Sequence, residues 1–197
     1  MNYYKKKYLS YTWPVYALIL VLSFFLFYGI FEIKNNYNAK EKLSVFICGI
    51  EVNKNDKYEL IESKLKDKGI KQLYMTCYDY ENKNYPTILA VKGYYGSDIL
   101  ILDEFSYSLW ESGGYPYDIS DEYLHILTNK DVLRCGSNNH LNAIKIYDYL
   151  DIEYNNLINQ DVIVFDTLET NFYLVINSRS VHIEDGVITD FIKYLIN

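Results

Sequence analysis

The longest apolar run of the chain, TWPVYALILVLSFFLFYGIF from Thr12 to Phe31, has no ionisable group other than tyrosine. At about 1.5 Å per residue it is roughly 30 Å long as a helix, which matches the hydrocarbon thickness of a bilayer. Pro14 is expected in the first turn, where its missing N–H costs nothing. Tyr11, Trp13 and Tyr28 lie near the two ends, as interfacial aromatics do. After the polar stretch Ile33–Lys42 the periods shorten. LSVFICGIEV, Leu43–Val52, reads as one buried strand, and NDKYELIESKLKDKG as an amphipathic helix. In that helix Asp56 is the expected cap, Tyr58, Ile61 and Leu65 share a face, Glu62 pairs with Lys66, and Gly69 is the stop. KQLYMTCYDY alternates as a second strand. YPTILAVKGYYG starts a helix near Pro86 that ends around Gly93, and DILIL is a third strand, apolar throughout as a strand covered on both faces must be.

Strand, helix, strand, helix, strand with short joints predicts a parallel sheet with helical crossovers. The third strand, Ile99–Leu102, stops abruptly at Asp103 and Glu104. The stretch after it reads as a loop crowded with Tyr107, Trp110, Tyr115 and Tyr117. Further on, SDEYLHIL fits a short helix, NAIKIYD, DVIVF and NFYLVIN fit strands, and EDGVITDFIKYLIN fits a closing amphipathic helix. That helix would place Ile188, Phe191, Ile192 and Leu195 on one face and its acids at the start, where the helix dipole favours them. The expected organisation is residues 1–11 in the cytoplasm, 12–31 as a membrane-spanning signal anchor, 32–42 as a tether and 43–197 as one α/β domain.

Charge sharpens this division. The chain carries 19 Lys and Arg against 26 Asp and Glu. Every acid follows Phe31, so residues 32–197 carry 16 minus 26, or −10. Such an acidic domain is a poor partner for nucleic acid, whose binding begins with neutralised phosphates. Lys5, Lys6 and Lys7 stand before the apolar run and favour an N-terminus on the cytoplasmic side. No small-x-small cleavage site and no cysteine closely follow the run, so it reads as an uncleaved anchor in the cell membrane with the domain outside the cytoplasm.

Candidate chemistry is sparse. Cys48, Cys77 and Cys135 form no C-x-x-C pair. A Cys77–Cys135 disulfide and three small buried hydrophobes both remain open at this point. His125, His140 and His182 are isolated from any nucleophile, and His182, after a turn, is expected at the surface. No G-x-S-x-G, no Gly-rich phosphate loop and no calcium loop occurs. Glu122 and His125 alone do not make a metal site. The expectation is therefore no catalytic residue, no metal and no cofactor.

GSDILILDEF after two strand–helix units resembles the first lobe of bacterial extracellular solute-binding proteins of ABC transporters. NAIKIYDY and ETNFYLVINSRSVHIEDGVITDFIKYLIN are similar to the return of the chain to that lobe. The resemblance implies a periplasmic-binding-protein-like α/β fold with a mostly parallel sheet. Family members insert a second lobe in between; here only the 35 residues Ser106–His140 are available, so it implies a single lobe. In parallel sheets ligands collect beyond the carboxyl ends of strands. Glu51 and Asn53 are expected there after the first strand, and Asp103, Glu104, Tyr107 and Trp110 after the third. Carboxylates beside aromatic faces suit a small polar solute, and an exposed Tyr/Trp edge also suits docking of another membrane protein. The same aromatics would equally serve to cover surface that a second lobe would hide.

Overall fold

In the computed structural model of the chain, residues 3–35, 37–49, 51–79, 82–113, 117, 119, 134–135, 142–151, 161–165 and 169–196 are described. The expected helix over 120–127, together with Tyr115, Glu122, His125 and His140, lies outside them. Two compact units divide the chain, Met1–Asn38 and Ala39–Asn197.

The first unit is the helix α1, Tyr3–Asn35. Its stretch Thr12–Gly29 is long and apolar enough to cross a membrane, with a mean hydropathy of 1.7 and no buried residue. The helix begins at Tyr3, so Pro14 lies inside it and not in its first turn. The local preference of proline for a first turn is overridden because helical residues continue on its N-terminal side. The carbonyl of Ser10 consequently has no N–H at position 14 to accept from.

The second unit is a mixed α/β domain. Its elements are β1 (Lys42–Cys48), β2 (Glu51–Val52), α2 (Asp56–Lys66), β3 (Gln72–Tyr78), α3 (Tyr85–Ile88) and β4 (Ile99–Asp103). They are followed by α4 (Glu104–Ser112), β5 (Arg134–Cys135), β6 (Ala143–Tyr147), β7 (Ile163–Val164), β8 (Phe172–Ile176) and α5 (Val187–Leu195). Six strands form one sheet in the order β3-β1-β4-β8-β6-β5. The pairs β1–β3 and β1–β4 are parallel, as the alternation of strands and helices predicts. β8 then pairs antiparallel with both β4 and β6, and β5 antiparallel with β6. Four of the six strands thus point the same way.

Alternate residues of each strand feed two cores. Leu43, Val45 and Ile47 face a cluster with Ile61 and Leu65 of α2 and Phe191 and Leu195 of α5. Phe46 and Cys48 face the other side with Tyr85, Leu89 and Trp110. Ile99 and Ile101 join the first cluster and Leu100 and Leu102 the second. That is why β4 is apolar at every position: both of its faces lie under helices.

The expected single strand Leu43–Val52 is broken. Gly49 takes a positive φ of 61°, and β2 leaves to pair antiparallel with β7 in a separate two-stranded sheet. The cap of α2 is Asn55 and not Asp56: its Oδ1 accepts from the N–H groups of Lys57 and Tyr58, each at 3.1 Å. At the other end Gly69 sits at φ 90°, the Ile70 N–H returns to the Leu65 carbonyl and the Gly69 N–H to that of Lys66. This pairing satisfies carbonyls that the helix end leaves open, and it needs a residue without Cβ at position 69. Glu62 and Lys66 pair at 3.4 Å.

The disulfide reading fails on topology. Cys77 belongs to β3 and Cys135 to β5, the two edges of the six-stranded sheet. Five strand spacings of about 4.8 Å separate them, against about 7 Å at most between bridged Cα atoms. Cys77 is a free, exposed thiol and Cys48 a free, buried one.

Candidate functional site

The third parallel strand stops at Asp103 because Asp103 caps a helix. Its Oδ1 accepts the Ser106 N–H at 3.0 Å, and α4 begins at the next residue. The expected aromatic loop is therefore helical as far as Ser112, and Tyr107 and Trp110 follow helical spacing. Ser106 and Trp110, four apart, both point into the domain with no exposed surface. Trp110 is not part of an exposed edge; it is a core residue. Its indole Nε1 is buried without a hydrogen-bond partner. Tyr107 is half-buried, stacks on Tyr173 at 4.7 Å between ring centroids and donates to Asn142 Oδ1 at 2.8 Å.

The carboxyl end of β1 joins this cap. The Cys48 thiol donates to Asp103 Oδ1 at 3.3 Å and lies 3.6 Å from Ser106 Oγ, which in turn is 2.8 Å from the Tyr85 hydroxyl. Burial, then the charge of Asp103, pushes the Cys48 thiol up to about 11. At pH 7 only about one thiol in ten thousand is ionised there. Burial likewise raises the Tyr85 phenol far above its ordinary value. The network holds protons and carries no activated nucleophile, and it ties β1, α3 and α4 together. Among the described residues, no group of three His, Cys, Asp or Glu side chains is placed to hold a metal ion.

Of the six residues expected at the site, Asp103, Glu104, Tyr107 and Trp110 share the β4–α4 junction. Only Glu104 among them is exposed. Glu51 and Asn53 are exposed but belong to the β2–β7 ribbon, where the Asn53 N–H donates to the Val162 carbonyl at 2.9 Å. The outward face of α4 presents Phe105 and Leu109 to solvent, residues the sequence pattern did not single out.

Among the described residues an open concavity lies elsewhere. A cleft of about 240 Å³ runs over the first half of β1 and the middle and end of β3, beside the helical turn after α3. Its strand side includes Lys42, Ser44, Tyr74, Thr76 and Tyr78, and its wall Lys92, Gly96 and Ser97. The geometry follows from alternation along β1. On one face Phe46 and Cys48 are covered by Tyr85 and Leu89, whereas Lys42 and Ser44 lie beyond the helix and stay polar. The helix itself widens into a π-helical turn over Leu89–Tyr94.

The wall is held in place from behind. The buried Asn177 side chain donates to the carbonyls of Tyr94 at 2.9 Å and Ser97 at 2.7 Å. Ser97 Oγ donates to the Lys92 carbonyl at 2.7 Å, and a Cβ on Gly96 would meet that oxygen at 2.9 Å. Asp98 accepts the Ser44 N–H at 2.8 Å and the Ser180 hydroxyl at 2.6 Å. The one sequence signal for this cleft is the polar-to-apolar change from Lys42 and Ser44 to Phe46 and Cys48 along a single strand face.

The two described thiols give a direct check. With Cys135 replaced by serine in the full chain, iodoacetamide at pH 8 is expected to modify Cys77 and leave Cys48 untouched until the protein is denatured. Mass spectrometry of peptides reads the order, and early modification of Cys48 would contradict the closed network.

Scans against protein-family models, curated proteins and solved structures each returned no match to this chain.

Proposed function

We propose that the protein is a single-pass, membrane-anchored binding module of the cell surface, held in the bilayer by residues 12–31 with its domain outside the cytoplasm. On this reading the domain is one lobe of a periplasmic-binding-protein-like fold that captures a small polar solute or assists a transporter. It is not an enzyme. The observation that carries the reading is the preformed cleft between Lys42, Tyr74 and Lys92, in a domain whose best acid–thiol cluster is sealed and protonated. The apolar length of α1 supports the anchor, and Lys5–Lys7 ahead of an acid-free run support the orientation.

Protease added to intact cells is expected to remove the domain while a tag at the N-terminus stays protected. The full chain in detergent is expected to gain thermal stability from at least one member of a panel of sugars, amino acids and oligopeptides, and to lose that gain in Tyr74→Ala. A domain protected until the cells are lysed would remove the capture reading. A second reading, a docking protein for another envelope protein, draws on the exposed Phe105 and Leu109 of α4. It predicts no solute effect and loss of a co-purifying membrane protein in Phe105→Ser.

A further inference from the structure

Resting on the binding-module reading, we propose that the cleft over β1 and β3 takes a small phosphate-bearing ligand, a glycerol-phosphate-like group either free or at a lipid head. The chemistry of the lining points there. Two lysines from separate elements, Lys42 on β1 and Lys92 beside α3, stand at the cleft, and no Asp or Glu lines it. Among the described residues neither lysine has a carboxylate within ion-pair distance. In a domain of net charge −10 over residues 32–197, such an acid-free place is where an anion meets attraction at short range.

Asp98, the nearest acid in sequence to the wall, has its two oxygens engaged by Ser44 N–H and Ser180 Oγ. Lys42 Nζ rests 4.2 Å from the centre of the Tyr74 ring, a position from which it can turn to a ligand oxygen. The Thr76 hydroxyl is buried beside Tyr78 without a well-formed hydrogen bond of its own, and Ser44 lies two residues from Lys42 on the same strand face. A phosphate monoester brings about −1.5 to −2 charges and three acceptor oxygens, enough to engage two ammonium groups and hydroxyls together. A volume of about 240 Å³ is below the ~300–1,000 Å³ of drug-sized sites and limits the ligand to one small unit. Tyr78, stacked on Phe46 at 4.7 Å, offers a fixed ring for its carbon skeleton.

Calorimetric titration of the full chain in a nonionic detergent with glycerol 3-phosphate tests this. Saturable binding is expected. It should weaken about tenfold in Lys42→Ala and again in Lys92→Ala, and it should fall with added salt. Neutral glycerol should give no signal. The thermal midpoints of both variants are expected near wild type, since the two side chains support no core contact. If the group belongs to a lipid, nanodiscs containing phosphatidylglycerol will block the added compound; if it is free, binding will persist there. No binding in detergent, or binding indifferent to both lysines, overturns the assignment. Should glycerol 3-phosphate fail while a neutral sugar or amino acid binds and is lost in Tyr74→Ala, the phosphate chemistry falls and the binding module stands. If nothing binds, both fall.

Discussion

Trp110→Ala is expected to destabilise the domain by about 3–5 kcal/mol, the cost of deleting a large aromatic side chain from a packed core. Against a total stability of about 5–15 kcal/mol, that loss removes from about a fifth to all of it. The ring has no exposed surface and lies among Leu102, Ala143, Tyr173 and Val175, with Tyr107 at 6.4 Å between centroids. Few neighbours can close the gap, because the strands under it are fixed by their ladder. Trp110→Phe should be much milder. It keeps most of the apolar volume and removes an indole N–H that is buried without a partner, a group that itself costs about 1–3 kcal/mol. Thermal unfolding of the full chain in detergent, followed by circular dichroism, separates the two. Equal midpoints for wild type and Trp110→Ala would mean that the ring is not a core residue.

His182→Ala is expected to cost about 1–3 kcal/mol at pH 6 and to abolish a pH dependence that the wild type shows. His182 was expected at the surface because it follows a turn, yet its side chain is fully buried. Nδ1 lies 2.6 Å from Asp185 Oδ2, and Nε2 lies 3.1 Å from the carbonyls of both Ala39 and Lys42. Carboxylates and carbonyls only accept, so the arrangement favours hydrogen on both ring nitrogens, an imidazolium. Burial by itself lowers the pKa of the ring. The hydrogen bonds to Asp185 and the Lys42 carbonyl and the charges of Asp98 and Asp185 together outweigh it, so the pKa is raised above the ordinary 6.5.

The proton is therefore held more tightly in the folded than in the unfolded chain. Its stabilising contribution is complete below pH 6.5 and is lost as the pH climbs from there through the folded pKa. Unfolding midpoints of wild type should fall between pH 6 and pH 8.5, with a flatter profile in His182→Ala. Parallel profiles would show that the ring is neutral at both ends of the range. The consequence for the architecture is local. The charged ring ties the segment entering β1 to the turn that starts α5.

How much of this was readable in advance differs by element. The run Thr12–Phe31 and the parallel β3-β1-β4 core were legible because each signal is local: one long apolar stretch, and strands of buried alternation separated by one amphipathic helix and one Pro-started helix. The Tyr58, Ile61 and Leu65 face and the Gly69 stop came from the same kind of signal. The α4 helix was missed because its start depends on a single cap, and Asp103-Glu104 before a cluster of aromatics reads equally well as a turn. The break at Gly49 was missed because Ile50 and Val52 continue the apolar alternation past it, so no change of period marks the point where β2 leaves for a different sheet.

The candidate site was the least legible part. Asp103 and Trp110 were singled out for composition and position after a strand, yet a carboxylate beyond a strand can face solvent or cap a helix, and an aromatic can line an edge or fill a core. The cleft residues Lys42, Tyr74 and Lys92 are distant in sequence and share no motif; they meet because β1 pairs with β3 in one register and the turn Leu89–Tyr94 lies beside them.

By itself the sequence determined where the apolar helix lies, which segments become the first strands and helices, and that the domain is acidic. Those properties depend on neighbouring residues and on summed charge, which chain order already contains. Only the tertiary structure decided that Cys77 and Cys135 stand at opposite edges, that Trp110 and His182 are buried, and which surface stays open. Burial and partnership are set by residues far apart along the chain, and they exist only once the sheet has chosen its order.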